Sequence, residues 1–287
     1  MRRTLGKIAY ILLILVLLWV FLYCGWRLYA YFSEGAKTEK EYDALSDILH
    51  QAQPSEDSTA PTFDWSLLDR LPAEEIVEMP ESPYVIVTDE ETGEATMMLR
   101  EFEELFAINP DIIGWISIDG TNIDYPVVQK PEQKDYYLYR DFYGKQVARG
   151  CIYADEECDV LKPSDNVVIY GHMMQDGSMF EDLSNYTRKS YWQDHPFIRF
   201  DTLLRQHTYQ IVCVFKTTAS VGEGFAYHQF IDAQSDTDWE EFWNNCRANA
   251  FYDTGLELNP GDKIITLSTC EYTLTNGRLV VVAKRSD

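Results

Sequence analysis

Basic residues are scarce in this chain. The 287 residues include 24 Lys and Arg against 47 Asp and Glu, and the formal net charge is −23. Nucleic acids are bound by basic surfaces, and the sequence has no basic stretch outside its first residues. Nucleic acid is therefore excluded as an expected partner. Solubility is the simplest reason for the acidic excess. An acidic domain would also be repelled by an anionic surface, so it would need a tether to stay near one.

Metal and nucleotide motifs are missing as well. The sequence contains no HExxH, no C-x-x-C and no grouping of His and Cys at ligand spacing, so we expect no metal site. The phosphate loop GxxxxGK[ST] and the GxGxxG fingerprint are absent, which leaves nucleotide chemistry without support and predicts no cofactor. No internal repeat is found.

Six cysteines are too few for a disulfide framework in a chain of this length. Cys213 and Cys246 lie in apolar settings that are typical of core residues. Cys151 and Cys158 flank a short acidic stretch and could form a bridge outside the cell, which the spacing alone does not decide. Cys270 is left as the thiol most suited to chemistry.

One apolar run stands near the N-terminus. Ile8 to Trp26 carries no charged residue, and about 20 apolar residues suffice to cross a bilayer as a helix. Arg2, Arg3 and Lys7 precede the run, and basic flanks tend to stay cytoplasmic. We expect a cytoplasmic tail over residues 1–7, a single-pass membrane anchor over 8–30, and the rest of the chain outside the cell.

A cleaved signal peptide is the alternative for this run. Its apolar core is usually only about 7–15 residues long and ends at small residues. The run found here is longer and carries bulky aromatic residues to its end, which favours the uncleaved anchor. These aromatic residues are Trp19, Phe21, Tyr23, Trp26 and Tyr29.

Residues 31–96 are predicted to form an extracellular helix and an acidic linker. Apolar residues recur at helical spacing within Glu39–Gln51, which predicts a juxtamembrane helix. They are Tyr42, Leu45, Ile48 and Leu49. Pro54–Pro61 has the composition of a linker, and the acidic segment Phe63–Gly93 is expected to be irregular, either as a stalk or as plain disorder.

Residues 97–287 are predicted to form one mainly β domain. A helix over Leu99–Ile108 should end before Pro110, and the turn Asp119-Gly120 should join two strands as a hairpin. Many short strands with few helices indicate a closed or nearly closed β-barrel. The predicted strands are 114–118, 123–128, 150–153, 166–170, 197–200, 208–215, 263–268 and 278–283.

Two helices are expected between these strands, a short one around Met179–Leu183 and a long one over Asp238–Ala250. Thr237 and Glu240 have the spacing of a capping box for the long helix. Its aromatic stripe at i, i+3, i+4 and i+7 is expected to pack on the barrel rather than to bind a ligand. The stripe consists of Trp239, Phe242, Trp243 and Cys246.

Three residues at strand ends suggest acyl-transfer chemistry. Cys270 follows one predicted strand, Arg278 begins the next, and His172 follows the strand Asn166–Tyr170. A thiol needs a nearby base to be a good nucleophile, and an arginine can stabilise an oxyanion. Each residue taken alone has a structural alternative: a buried cysteine, a structural histidine, or a rim arginine paired with an acidic residue.

Taken together, the residues resemble the sortases, cysteine transpeptidases of Gram-positive cell surfaces. The run 266–270 matches the TLxTC signature of that family, Arg278 matches the arginine after it, and His172 in Ile-Tyr-Gly-His matches the family histidine. Class B is the nearest subgroup, and the long helix before the cysteine strand is one of its traits. The supporting stretches are 109–115, 123–129, 171–174 and 176–180.

This resemblance implies an eight-stranded barrel that receives the C-terminal sorting signal of a secreted protein. Cys270 would attack the threonine carbonyl to form a thioacyl enzyme, and His172 would protonate the leaving amine. Arg278 would bind the oxyanion, and an amine of a peptidoglycan precursor or cross-bridge would accept the acyl group. The alternatives are a thiol peptidase with water as acceptor and an inactive extracellular binding domain.

Three neighbours of the thiol are further candidates for contact with substrate or oxyanion: Ser268, Thr269 and Glu271. For Glu271 the resemblance suggests the backbone N–H as a second oxyanion donor, and a role of its side chain stays open. For Ser268 an ordinary role in the strand is equally possible.

Overall fold

The computed structural model of the chain describes residues 2–52, 82–88, 95–220 and 222–286, with side chains in the first helix from Tyr10 onward. The chain divides into two compact units, Met1–Ala44 and Leu45–Asp287. Within the described residues, the first unit is formed by one helix, and every strand lies in the second unit.

Helix α1 runs without a break from Arg2 to Ala52. The predicted anchor and the predicted helix over Glu39–Gln51 are therefore parts of one helix. No proline lies in this stretch, and an isolated glycine is tolerated inside a helix. By length and composition, the helix is suited to crossing a membrane.

The last turns of α1 belong to the second unit. Leu45 and Leu49 are both buried there. The Ser46 hydroxyl donates to the Asp124 carboxylate at 2.7 Å, and His50 Nε2 lies 3.6 Å from the same carboxylate. The apolar spacing seen in the sequence thus marks the face of this helix that is buried.

A short hairpin precedes the main domain. Strands β1 (Tyr84–Thr88) and β2 (Ala95–Leu99) pair antiparallel and form a separate sheet. The expectation that Phe63–Gly93 is irregular is therefore wrong for β1, because its alternating Val and Ile favour a strand despite the acidic surroundings. The expected linker Pro54–Pro61 and most of the acidic segment lie outside the described residues.

Eight strands close into a barrel, as the mainly β prediction requires. Their order around the barrel is β10-β8-β7-β3-β4-β5-β6-β9. The pairs β4–β5 and β6–β9 are parallel and the others are antiparallel. The strands are β3 (Ile112–Ser117), β4 (Asp124–Val128), β5 (Ile152–Ala154), β6 (Asn166–Tyr170), β7 (Phe197–Thr202), β8 (Thr208–Thr218), β9 (Ile264–Glu271) and β10 (Gly277–Arg285).

All eight predicted barrel strands are present, and their ends differ by a few residues. The largest extensions are in β8, which continues to Thr218, and in β9, which continues to Glu271. Both extensions pair with the first residues of β10. Cys270 therefore lies inside a paired strand rather than just after one.

The first helix of the domain is shorter than predicted. A 3₁₀ turn over Arg100–Phe102 leads into α2 (Glu103–Ile108). The helix ends before Asn109, which has φ −145° and ψ 105°. This extended conformation is the one that Pro110 imposes on the residue before it, so the predicted end of the helix is confirmed.

The second predicted helix begins later than expected. Met179 has φ 58°, outside the helical region, and a 3₁₀ helix starts only at Glu181 and ends at Thr187. It is followed by α3 (Lys189–Asp194), a short helix that the sequence analysis does not predict.

Helix α4 (Asp236–Asn249) carries the aromatic stripe, and the stripe is buried as predicted. Phe242 stacks on Phe230 at 4.2 Å between ring centroids, and the helix packs along β8. The predicted capping box is wrong. The N-cap is Ser235, whose side chain accepts from the Asp238 N–H while Asp238 accepts from the Ser235 N–H.

The two candidate caps of α4 can be separated by alanine substitution. Ser235→Ala is expected to lower the free energy of unfolding by about 1 kcal/mol, because the first turn loses its capping acceptor. Thr237→Ala, inside the first turn, is the matched control and should change it by less than about 0.5 kcal/mol. Urea unfolding of the full chain in detergent measures both, and equal losses would contradict the observed cap.

Candidate active site

Cys270 and Arg278 lie directly opposite each other on neighbouring antiparallel strands. The register pairs Cys270 of β9 with Arg278 of β10, and Ser268 with Val280. Opposed residues project from the same face of a sheet, with Cα atoms about 4.5–5.5 Å apart. The turn between β9 and β10 therefore brings the thiol and the guanidinium to one face.

His172 reaches the same place from the other side of β9. Strand β6 runs parallel to β9 with Tyr170 level with Ser268, and the Gly171 N–H donates to the Ser268 carbonyl at 3.1 Å. Two residues further along each chain come His172 and Cys270. Three adjacent strands thus bring the predicted histidine, cysteine and arginine together, and all three side chains are half-buried.

The His172 ring is held by a backbone carbonyl. Its Nε2 lies 2.7 Å from the Leu138 oxygen, and its ring lies 5.5 Å from the Tyr139 ring at an angle of 34°. A carbonyl oxygen can only accept, so Nε2 carries the proton. The other nitrogen, Nδ1, is then the one that can accept or release a proton in a reaction.

Arg278 has no acidic partner among the described residues. Its Nη1 donates only to backbone carbonyls of its own turn, at 3.0 Å to Gly277 and 3.4 Å to Asn276. The structural alternative for this residue, a rim arginine paired with a carboxylate, is therefore not what the structure has. An unpaired guanidinium beside a thiol is available to bind a developing oxyanion.

Tyr227 covers the strand next to the thiol. It comes from the segment between β8 and α4, and its hydroxyl lies 2.6 Å from the Ser268 hydroxyl. Burial raises the pKa of Tyr227, the Ser268 hydrogen bond and the charge of Arg278 lower it, and a charge on Cys270 raises it. The Tyr227 hydroxyl therefore stays protonated near Arg278 and Cys270. Ser268 lies on the thiol face, but its hydroxyl is already bonded.

Thr269 lies on the opposite face of β9 from Cys270, because side chains alternate along a strand. It is buried, and its Oγ1 has no hydrogen-bond partner among the described residues. The hydroxyl is thus turned away from the thiol and toward the barrel interior.

Glu271 also alternates away from the thiol. Its carboxylate accepts from Lys216 Nζ at 2.8 Å, from the Thr273 hydroxyl at 2.8 Å, and from the N–H groups of Thr273 and Leu274. Partial burial alone would raise the pKa of Glu271, but the bonds from Lys216 and Thr273 lower it below its usual value. The side chain therefore shapes the turn between the cysteine and the arginine.

The other cysteines are placed as structural residues. Cys151 and Cys158 are both buried and neither is in a disulfide, so the possible bridge between them is not formed. The Cys158 thiol instead donates to the Asn166 carbonyl at 3.5 Å and accepts from the Val168 N–H at 3.4 Å. Cys213 and Cys246 are buried as predicted. Within the described residues, no group of three or more His, Cys, Asp and Glu could hold a metal.

Several residues around the site carry no signal in the sequence. Leu138 acts through its backbone carbonyl, which no side-chain pattern reveals. Tyr227 and Lys216 reach β9 from positions far away in the chain, 41 and 55 residues respectively. Only their placement in the folded barrel shows that Tyr227 bonds Ser268 on the thiol face and that Lys216 holds the carboxylate of Glu271 on the opposite face.

Thiol reactivity should separate Cys270 from the buried cysteines. In a Cys24→Ser chain, iodoacetamide near pH 8 is expected to modify Cys270 alone. Burial raises the pKa of Cys158 to about 12, so only about one molecule in ten thousand would be thiolate at that pH. Mass spectrometry should find one adduct in the folded protein and five after denaturation. An adduct on any other cysteine of the folded protein would contradict this placement.

Ser268 and Thr269, which precede Cys270 in β9, should respond differently to loss of their hydroxyl groups. Thr269→Val is expected to leave the free energy of unfolding unchanged or raise it by up to about 1 kcal/mol, because the buried hydroxyl has no partner. Ser268→Ala should lower it by about 1–2 kcal/mol, because the Tyr227 hydroxyl loses its partner. Denaturant unfolding of both variants measures these changes in the free energy of unfolding. A clear loss in Thr269→Val would show that its hydroxyl is bonded.

Comparison with known proteins supports the sequence resemblance. A sortase-domain family model matches residues 116–286, which is more than half of the chain and includes all three site residues. Sortase B of Staphylococcus aureus is 33% identical over 186 residues, covering 64% of this chain and 74% of that protein. Sortase B of Listeria monocytogenes is 32% identical over 194 residues, covering 67% and 75%.

Solved structures agree with the sequence matches. Sortase B of Bacillus anthracis in complex with AAEK1 superposes with a TM-score of 0.66 at 28% identity, covering 89% of this chain and 99% of that one. A Staphylococcus aureus sortase B–substrate complex gives 0.60 at 33% identity, covering 65% and 85%. In sequence and in fold, this chain belongs to the sortase family of cysteine transpeptidases, in its sortase B group.

Proposed function

We propose that this protein cleaves a sorting-signal peptide after threonine and joins the acyl group to a cell-wall amine through a thioacyl enzyme. The observation that carries the proposal is the cross-strand pair of Cys270 and Arg278, with His172 at the end of the adjacent parallel strand. Among relatives, one sortase B is solved with its substrate and another with triglycine. These ligands fit a peptide donor and an amine acceptor at one thiol.

Acylation uses all three residues. The Cys270 thiolate attacks the threonine carbonyl carbon, and the carbonyl oxygen becomes an oxyanion as the C–S bond forms. The Arg278 guanidinium and the backbone N–H of Glu271 donate to that oxygen. His172, as an imidazolium, gives its Nδ1 proton to the leaving amine, and the C–N bond breaks to leave a thioacyl enzyme.

Transfer reverses the proton movement. Neutral His172, with its Nε2–H still held by the Leu138 carbonyl, takes a proton on Nδ1 from the incoming amine. The amine nitrogen attacks the thioester, a second oxyanion forms next to Arg278, and the C–S bond breaks. Cys270 leaves as a thiolate beside an imidazolium, ready for the next peptide. The acceptor is an amine of a peptidoglycan precursor or cross-bridge.

Of the three neighbours expected to contact substrate or oxyanion, we assign only the Glu271 backbone N–H to the oxyanion. The Ser268 side chain lies on the thiol face of β9 and is bonded to Tyr227. The Thr269 side chain lies on the other face of the strand and stabilises nothing in the reaction.

The proposed location is the outer side of the cell membrane. Residues 1–7 form the cytoplasmic tail and 8–30 the anchor, because the basic Arg2, Arg3 and Lys7 precede the apolar part of α1. Residues 31–96 lead through an extracellular helix and acidic linker to the catalytic domain over 97–287. Outside the membrane the thiol would meet both secreted proteins and cell-wall amines.

The test uses the full chain in detergent with fluorogenic peptides that carry threonine at the cleavage position, and with oligoglycine or diaminopimelate as acceptor. Mass spectrometry should show an acyl adduct on Cys270 and an amine-ligated product. Cys270→Ala should abolish the adduct, and Arg278→Lys should lower kcat by about 10²–10³-fold through loss of oxyanion stabilisation. Arg285→Lys, at the other end of β10, is the matched control and should leave kcat unchanged.

The alternatives predict other products. A thiol peptidase would form the adduct and release only free acid, whatever the amine. No adduct with any peptide, in a chain that unfolds cooperatively, would overturn the proposal in favour of a binding domain. Turnover that persists in Cys270→Ala would exclude this thiol as the nucleophile.

A further inference from the structure

A buried arginine ties down the loop that follows His172. The Arg149 side chain is only 4% exposed, and its Nη2 lies 2.7 Å from Asp176 Oδ2. Its Nη1 donates to the Ser178 hydroxyl, also at 2.7 Å, and that hydroxyl bonds Asp176 Oδ1 at 2.7 Å. Burial would raise the pKa of Asp176, but Ser178 and Arg149 lower it below its usual value. The carboxylate therefore stays charged opposite the guanidinium.

The same loop sets the main chain of His172. The Phe180 N–H donates to the His172 carbonyl at 2.9 Å, and Met173 forms a bridge with Met179. Gly171 is so tightly enclosed that a Cβ atom there would lie 2.6 Å from the Phe180 ring. A displacement of the loop 173–180 would therefore displace His172.

The chain next to Arg149 supports the other contact of His172. Gly150 has φ +59° and packs directly against the carbonyls of Tyr137 and Leu138, with no room for a Cβ atom. The Leu138 carbonyl is the acceptor that holds His172 Nε2 at 2.7 Å. The backbone next to Arg149 therefore packs against the Leu138 carbonyl, which accepts from the His172 ring. The Arg149 guanidinium, in turn, bonds Asp176 and Ser178 in the loop that follows His172.

We propose that Arg149 is a positioning residue that sets the His172 imidazole relative to Cys270. Its guanidinium joins the segment behind the Leu138 carbonyl to the loop that fixes the His172 main chain, and so determines where Nδ1 points. The inference rests on the proposed role of His172 in proton transfer. A misplacement of about 1 Å can cost 10²-fold in rate, so a clamp of this kind bears directly on turnover.

The two contacts of Arg149, with the Asp176 carboxylate and the Ser178 hydroxyl, require an arginine. A guanidinium presents several N–H donors in a fixed plane and reaches the carboxylate and the hydroxyl at once, whereas an ammonium is a single point charge on a flexible stem. Arg149→Lys keeps Asp176 paired with a positive charge but loses the two-armed geometry. It is therefore a gentler test than a neutral substitution, which would leave the Asp176 carboxylate without its cation.

A control ion pair, in which the arginine is the more exposed partner, lies on the far side of the barrel. Arg199 Nε donates to Asp201 Oδ2 at 2.7 Å, and the Asp201 side chain is 4% exposed. This pair lies within β7, whose neighbours are β3 and β8 rather than β6 or β9. Arg199→Lys makes the same chemical change in an ion pair that does not touch the loop of His172.

The experiment measures the His172 tautomer and turnover in the full chain in detergent. In Arg149→Lys, ¹⁵N NMR of labelled histidine should show loss of the dominant Nε2–H form of His172, and kcat should fall about 10–100-fold. KM should stay within about twofold. Arg199→Lys should resemble the wild type in both measurements. If Arg149→Lys does not fold, Ser178→Ala, which removes one arm and keeps the ion pair, should show the same changes on a smaller scale.

The His172 signal decides the outcome. An unchanged tautomer in a folded Arg149→Lys or Ser178→Ala chain overturns the inference, whether or not kcat falls. A wild type without peptide turnover would instead overturn the proposed function, and the tautomer measurement would still test the clamp.

Discussion

The register of β9 against its two neighbours is the constraint on which the site depends. Antiparallel pairing with β10 sets Arg278 opposite Cys270, and parallel pairing with β6 sets His172 level with the same cysteine. Side chains alternate along a strand, so a shift by one residue would turn Cys270 inward and Thr269 outward. Leu267 and Val281 are fully buried across the same ladder, and their burial opposes such a shift.

The hydrogen bonds around the site divide its polar groups into those that are occupied and those that are available. Ser268 is bonded to Tyr227, and the Glu271 carboxylate is bonded to Lys216 and its own turn. Among the described residues, in contrast, the Arg278 guanidinium donates only to backbone carbonyls. An acyl transfer needs a nucleophile, a positive charge for the oxyanion and a proton shuttle, and Cys270, Arg278 and the Nδ1 atom of His172 can supply these three functions.

Local patterns predicted much of this fold because the barrel depends on burial that the sequence displays. The short predicted strands correspond to the eight barrel strands, and the aromatic stripe of α4 is buried on β8. The patterns gave a wrong prediction where two nearby residues could serve the same structural role. Thr237 and Ser235 both suit a capping role, and only the observed start of α4 selects Ser235. The strand β1 lies in an acidic segment whose average composition conceals it.

Periodicity and side-chain chemistry are local properties, so the strand pattern, the apolar helix and the three reactive residue types could be read directly from the amino-acid order. That order did not decide whether Cys151 and Cys158 pair, and it held no sign of Arg149 or Tyr227. Those depend on contacts between segments far apart in the chain, which exist only once the barrel closes. Only the folded barrel fixes which face Thr269 occupies and which nitrogen of His172 is held, because both follow from register and from a distant carbonyl.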